Sequence, residues 1–365
     1  MQKYENGRVR KVPCRSLLKK TLIGISFLFL QSGCDTDQEK QYYFSRFAMG
    51  TIIEYTIMAP DKDHARAAML KAHREIERIE GLFSEEDSTS EIYRFNHSKG
   101  GIYTNEEVTN CVIDALDYHN KTNGVFDISI KPVLDLYQFQ SDDPFPPPDD
   151  LIHRALTDIG ANKLEAKYSA THQSWWLGKS AEKAGLAMGG FVKGYAVDRA
   201  IQVLREDDIR NGIINAGGDL FCLGRKSGHS WKVGVRHPRQ AGSIAIVLSL
   251  SNLAAATSGD YQRYFIFEGE RYHHILDPQT GKPARKAQSA TVVAKTTAEA
   301  DAWATALFIS GPDEGIRLIN RVKDVYGMLV DSSGSLHYSR GMQRFVLKDD
   351  GTSATLNTGT NTLQE

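Results

Sequence analysis

The apolar residues change their spacing along the chain, and this change constrains the fold more than any other feature. Residues 51–58 are rich in β-branched side chains and predict a β-strand. Directly after them, apolar side chains recur every three or four residues over 61–83, which predicts an amphipathic helix. The chain therefore contains both kinds of element from its first structured segment onward.

The later elements decide the fold class. Helices are predicted over 105–119, after Lys193, and over 298–308, and Thr104 and Glu107 stand at capping-box spacing before the first of these. Strands are predicted over 212–215, 231–236, 244–250 and 290–294. Strands that follow one another after residue 210 favour an α+β fold over a regular β-α-β alternation. We expect a single domain with a mixed or antiparallel sheet and flanking helices.

The N-terminal segment is typical of an exported protein. Residues 1–33 hold seven basic side chains and one acidic one, and they include an apolar stretch over 21–30. Ten residues are too few to span about 30 Å of hydrocarbon but suit the core of a signal peptide. Small residues before Cys34 resemble a bacterial lipobox, although Gln31 stands where the lipobox prefers leucine. Plain signal cleavage and an uncleaved anchor are the alternatives.

These features divide the chain into four segments. We predict a lipoprotein-type signal peptide over 1–33, with Cys34 as the lipidated residue and a location on the periplasmic side of the bacterial inner membrane. A polar tether over 34–45, a folded body over 46–348 and a polar tail over 349–365 follow. The near-neutral total charge of −1 argues against a dedicated nucleic-acid binder. Without residues 1–33 the net charge is −7, so the body is acidic.

Dense clusters of polar and glycine residues stand where predicted elements begin or end. The motifs of P-loop nucleotidases, Rossmann dehydrogenases, α/β-hydrolases and zinc proteases are absent. Instead, glycines over 189–194 precede a helix, where backbone N–H groups can bind phosphate or where a tight turn needs glycine. Asp301 and Thr305 lie four residues apart on a predicted helix and share one face. This pair suits Mg²⁺, or it is a solvated helix face.

In chain order, eight short segments resemble the ApbE family of FAD:protein FMN transferases, many of which are exported lipoproteins. The segments are 49–51, 90–96, 124–127, 189–198, 217–219, 257–261, 274–281 and 300–305. The resemblance implies that the chain splits the pyrophosphate of FAD, transfers FMN to a threonine hydroxyl of a target redox protein and releases AMP. An FAD pyrophosphatase that releases FMN and AMP, and a flavin-binding lipoprotein without turnover, are the alternatives.

The resemblance also implies the roles of individual residues. Asp301, Thr305 and the backbone carbonyl of Gly190 would hold Mg²⁺, and His274, rather than its neighbour His273, would act beside the reacting phosphate. The residues implied to line the FAD site are Met49, Val125, Phe126, Asp127, Ala187, Lys193 and Ile275.

The resemblance extends to the acceptor. Target proteins, such as membrane or exported redox subunits, would carry a D-x-x-[ST]-[GS]-A-T motif. Residues 349–355 of this chain match that motif, so Thr355 is a candidate for self-flavinylation. A chance match in a polar tail is the alternative.

Overall fold

The computed structural model describes residues 39–347 of the chain. In that range the helices are α1 Lys62–Phe83, α2 Glu91–Asn96, α3 Glu106–Lys121, α4 Lys131–Leu134, α5 Asp149–Leu156, α6 Val192–Glu206 and α7 Thr297–Ile319. None of these helices combines the length and the apolar character that a bilayer span requires. The predicted signal peptide over 1–33, Cys34 and the tail with Thr355 lie outside the described residues.

The strands are more numerous than the sequence patterns predicted. They are β1 Lys40–Ala48, β2 Thr51–Ala59, β3 Gly101–Thr104, β4 Leu164–Ser169, β5 Ser174–Lys179, β6 Gly212–Ala216, β7 Asp219–Leu223, β8 Trp231–Arg236, β9 Ile244–Leu250, β10 Leu253–Gly259, β11 Tyr264–Phe267, β12 Glu270–His273, β13 Leu276–Asp277, β14 Lys282–Pro283, β15 Ala287–Ala294, β16 Tyr326–Asp331 and β17 Leu336–Tyr338.

Eight of these strands form one central antiparallel sheet. Their order across the sheet is β1-β2-β6-β7-β10-β15-β16-β17, and every neighbouring pair runs antiparallel. Smaller sheets, β3-β5-β4 and the hairpins β8-β9, β11-β12 and β13-β14, lie outside it. The expected α+β class with an antiparallel sheet and flanking helices is confirmed.

The two faces of the central sheet are covered by different elements. Ile53, Tyr55 and Ile57 alternate along β2 and belong to the main core, where α1, α6 and α7 pack. On the opposite face, Trp231 and Leu248 of the β8–β9 hairpin pack in a second apolar cluster. The sheet is therefore the middle of three layers, because both of its faces are too apolar to be left in water.

Helices α6 and α7 cross at close range, and this crossing positions the site. A Cβ atom at Gly194 would lie 2.5 Å from the carbonyl oxygen of Thr297, so only glycine allows the approach. The carboxylate of Asp198 accepts the backbone N–H groups of Thr297 and Ala298 at 2.7 and 2.9 Å, and it thereby caps the start of α7. The crossing brings Lys193 of α6 beside the first turns of α7.

Three sequence expectations need correction. Residues 34–45 were predicted as a tether, but the ordered body starts earlier, since Lys40–Ala48 form β1. The predicted cap Thr104 ends β3, and Asn105 caps α3 instead, because its side chain accepts the N–H of Val108 at 2.9 Å. The helix predicted over 298–308 extends to Ile319, with a break at Gly311, where φ is 78°.

Candidate active site

One cleft of about 480 Å³ brings together every residue that the sequence placed in the flavin or metal site. Its walls come from the β1–β2 turn, the segment after α3, the start of α6, the segment after β12 and one face of α7. The predicted residues that line it are Met49, Val125, Phe126, Asp127, Ala187, Gly190, Lys193, His274, Ile275, Asp301 and Thr305. Residues that are scattered over the sequence therefore share one cavity.

Asp301 is a buried carboxylate, and one of its oxygens accepts no hydrogen bond. Its side chain is almost fully enclosed, and Oδ2 has no hydrogen-bond partner. Burial, together with the nearby charge of Asp219, raises the pKa of Asp301 above its usual value, while Lys193 acts in the opposite direction. A buried carboxylate oxygen without a partner is unfavourable unless a cation or a proton joins it.

Thr305 and Gly190 lie next to this carboxylate in the cleft. The hydroxyl of Thr305 lies 3.2 Å from the Ser258 hydroxyl. A Cβ atom at Gly190 would lie 3.4 Å from Thr305 Oγ1 and 3.3 Å from the Phe126 ring, so a side chain there would fill the space beside the hydroxyl.

These donors fit a hard cation. A carboxylate oxygen without a partner and a hydroxyl oxygen are ligand types that Mg²⁺ prefers. Within residues 39–347 no group of three or more His, Cys, Asp or Glu side chains could hold a metal ion. A cation bound here would therefore complete its shell with backbone oxygen, water and phosphate, as Mg²⁺ commonly does.

Lys193 supplies positive charge at the floor of the cleft. Its ammonium forms an ion pair with Asp219 and lies 3.5 Å from Asp301 Oδ2. Burial opposes the charged form, but the two carboxylates more than offset it, so the pKa of Lys193 is raised. The side chain remains an ammonium ion at neutral pH and suits an anionic ligand.

The two adjacent histidines occupy different environments. His273 is buried, and its Nε2 donates to the Ala284 carbonyl at 2.8 Å while Nδ1 accepts the N–H of Ile275 at 3.3 Å. His274 faces the cleft, and its Nδ1 lies 3.2 Å from the Arg263 carbonyl. Since a carbonyl only accepts, Nδ1 carries the proton and the neutral ring keeps a lone pair on Nε2. The structure thus places His274, not His273, where chemistry is accessible.

The turn at Met49 is held in an unusual conformation. Met49 has a φ of 51°, which is uncommon for a residue with a side chain, and Gly50 follows with a φ of 69°. The Met49 N–H donates to Glu80 of α1 at 2.7 Å, which fixes the turn against the helix. Backbone strain of this kind is often retained at binding sites.

Asp127 lines the cleft while its carboxylate is already engaged. Its Oδ1 accepts the N–H and the hydroxyl of Ser129 at 2.8 and 2.6 Å, and Oδ2 lies 3.3 Å from Nδ1 of His119. These contacts fix the loop that carries Val125 and Phe126. The residue therefore shapes this wall of the cleft through the backbone around it.

Several cleft residues were not identified from the sequence. Glu85 follows α1, accepts the N–H of Met188 at 3.1 Å, and has its pKa raised by burial. Gln140 lies between α4 and α5 and donates to Glu86 at 2.7 Å. No local pattern identifies such residues, because they stand in irregular loops whose position depends on tertiary packing. Asp219 belongs to the segment 217–219 and Lys193 was predicted in the FAD site, but the ion pair between them was not predicted.

The fold and the cleft define a class of protein, a single α+β domain with one large cleft whose oxygen donors fit a hard cation and whose lysine suits an anionic ligand. The chain belongs to the ApbE family, whose family model matches residues 49–329. A curated relative from Salmonella typhimurium, named FAD:protein FMN transferase, is 27% identical over 307 residues, which cover 80% of this chain and 87% of the relative.

Solved structures agree with this assignment. The chain superimposes on the ApbE protein of Thermotoga maritima with a TM-score of 0.77 and 29% identity, over 85% of this chain and 100% of that one. It superimposes on the apo form of the Pseudomonas stutzeri flavinyl transferase ApbE with a TM-score of 0.72 and 26% identity, over 84% and 97% of the two chains.

Proposed function

We propose that this protein is an FAD:protein FMN transferase. The threonine oxygen of an acceptor attacks the phosphorus of the FMN half of FAD, and the bond from that phosphorus to the bridging oxygen breaks. AMP leaves with the bonding electron pair, and the threonine proton passes to a base. The observation that carries the proposal is the single cleft in which a carboxylate oxygen that accepts no hydrogen bond, an ammonium and a neutral imidazole meet.

Asp301, Thr305 and the Gly190 carbonyl would hold Mg²⁺ in this proposal. When bound, Mg²⁺ neutralises charge on the pyrophosphate and makes the displacement easier. Lys193 adds a fixed positive charge from the floor of the cleft. The apolar wall near Phe126 and Ile275 would pack against the flavin ring and exclude water from it.

His274 would accept the threonine proton. Its Nδ1–H donates to the Arg263 carbonyl, which orients the ring and leaves Nε2 as the acceptor. Burial, with the charge of Arg263 next in size, lowers the pKa of His274 to about 3. A negatively charged phosphate beside the ring raises the pKa of a histidine, so bound FAD would make His274 a stronger base.

A single assay tests the proposal against its alternatives. The full-length protein is incubated with FAD, MgCl₂ and an acceptor domain that carries the D-x-x-[ST]-[GS]-A-T motif. Flavin fluorescence that stays with the acceptor after denaturation, together with released AMP, supports the transferase. FMN and AMP without labelled acceptor indicate a pyrophosphatase, and unchanged FAD indicates a binding protein.

The proposed location is the exported face of a bacterial membrane, with a lipid on Cys34. The basic segment 1–33, its ten-residue apolar stretch and the small residues before Cys34 support it. The full-length chain and its Cys34→Ser variant are expressed with a labelled fatty acid and fractionated. Label and membrane association in the parent chain, both lost in the variant, are expected; an unlabelled parent chain contradicts the anchor.

A further inference from the structure

Asp219 is a buried carboxylate next to the proposed metal site. It begins β7 directly after the Gly217–Gly218 turn, and only 3% of its surface is exposed. The sequence alone explains Asp219 as a turn-forming residue and gives it no further role. In the structure it forms an ion pair with Lys193, which is 26 residues earlier in the chain.

The Lys193 ammonium lies between two carboxylates and forms an ion pair with each, but it donates a hydrogen bond only to Asp219. It pairs with Asp219, whereas its distance of 3.5 Å to Asp301 Oδ2 leaves that oxygen without a hydrogen bond. A half-buried ammonium favours an anionic partner, and removal of Asp219 would leave it the Asp301 carboxylate. The Lys193 ammonium would then donate a hydrogen bond to Asp301 Oδ2, the oxygen that the metal ion requires.

The backbone around Asp219 is fixed, so the carboxylate is held in place. A Cβ atom at Gly217 would lie 2.7 Å from the Thr51 hydroxyl, and the N–H of Gly218 donates to Asn215 Oδ1 at 2.9 Å. Positive φ angles of 65° and 114° at the two glycines form the tight turn that sets the start of β7. Asp219 is therefore a rigid anchor for a flexible lysine side chain.

We propose that Asp219 is a positioning residue that takes the hydrogen bond of the Lys193 ammonium, so that the ammonium stays at ion-pair distance from Asp301 and leaves Asp301 Oδ2 available for the metal ion. This inference rests on the proposed function only in taking Asp301 as a metal ligand. It assigns Asp219 no contact with the reacting atoms. It explains why a second buried carboxylate stands beside the site without being needed as a ligand.

The test measures metal binding directly, without FAD or acceptor. Free Mn²⁺ is quantified by electron paramagnetic resonance as it is titrated into the full-length protein and its variants. Asp219→Asn is expected to weaken Mn²⁺ binding on the order of tenfold, because Lys193 then pairs with Asp301. Lys193→Met alone is expected to bind Mn²⁺ at least as tightly as the parent protein, since the competing ammonium is gone.

The double variant separates positioning from a general structural effect. Asp219→Asn combined with Lys193→Met is expected to recover the Mn²⁺ affinity of the parent protein to within about threefold. Asp313→Asn, an exposed residue of α7, is the matched control and should bind Mn²⁺ normally. Circular dichroism of each variant verifies the fold.

Three results overturn the inference. They are an unchanged Mn²⁺ affinity in Asp219→Asn, a weakened affinity that Lys193→Met does not recover, and weaker binding in Lys193→Met alone. The last measurement remains decisive even if Asp219→Asn fails to fold. Failure of the proposed function gives a different pattern, in which the variants change Mn²⁺ binding as expected while the parent protein transfers no FMN.

Discussion

His273 and His274 are neighbours in the sequence, yet their rings have opposite chemical availability. Both ring nitrogens of His273 are used in backbone hydrogen bonds, whereas His274 keeps Nε2 free in the cleft. The sequence predicts that adjacent side chains of an extended segment point to opposite sides. It does not predict which side is the core, because that depends on the strands and helices that pack there.

The protonation state of His274 in the free protein can be predicted and tested. Because burial and Arg263 lower its pKa to about 3, the ring of the free protein is neutral throughout pH 5–9. The Cε1–H chemical shift of His274, assigned by its loss in His274→Asn, should therefore stay constant over this range. A titration midpoint between pH 6 and 7 in the free protein contradicts this environment.

At the scale of elements, the crossing of α6 and α7 builds the site. Lys193 and Gly194 lie near the start of α6, and Asp301 lies one turn into α7. The Asp198 carboxylate joins the two helices by accepting N–H groups at the start of α7. Helix packing therefore brings the Lys193 side chain within reach of the Asp301 carboxylate.

A glycine substitution tests this packing. In Gly194→Ala the new Cβ would lie 2.5 to 2.6 Å from backbone atoms at the start of α7, so the helices must separate. We expect a loss of about 1–3 kcal/mol in the free energy of unfolding, and a decrease in FMN transfer. Urea denaturation, followed by circular dichroism, measures the first, and the acceptor assay measures the second.

Gly81 provides the matched control. It lies in the exposed part of α1, and nothing would be within 4 Å of a Cβ atom there. Gly81→Ala should leave transfer unchanged and stabilise the fold by up to about 1 kcal/mol, because alanine favours the helix. Equal effects of the two substitutions would contradict the role of the crossing.

The elements also show what local patterns can and cannot predict. Apolar periodicity predicted α1, and the four-residue spacing of Asp301 and Thr305 predicted that they share one face of α7, since both signals depend on nearby residues. The break at Gly311 had a usable signal in the following Pro312. The pairing of Lys193 with Asp219 had none, because it forms only when α6 packs against the sheet.

At the scale of the whole molecule, the charge distribution opposes the ligand. The chain without residues 1–33 has a net charge of −7, and FAD is also an anion. In the proposed function, attraction must therefore be local, from Lys193, the proposed cation and backbone N–H groups around Gly190. Local contacts inside a cleft are screened by salt much less than long-range repulsion between the protein and its ligand.

Long-range repulsion combined with local attraction predicts that salt accelerates the association of FAD. With Mg²⁺ held at saturation, the association rate constant of FAD should rise when the ionic strength increases from about 0.01 to about 0.15 M, because the repulsion is screened. Stopped-flow measurement of flavin fluorescence provides the rate. A steep decrease with salt would indicate long-range electrostatic attraction and contradict the account.

The most direct test of the transfer reaction is the intact mass of the acceptor after incubation with the full-length protein, FAD and Mg²⁺. We expect one added FMN group per acceptor and one AMP per group, with neither formed by Asp301→Ala. Transfer should be lost in His274→Ala, whereas His153→Ala, an exposed histidine of α5, should keep it. AMP and FMN released with an acceptor of unchanged mass would contradict the central claim.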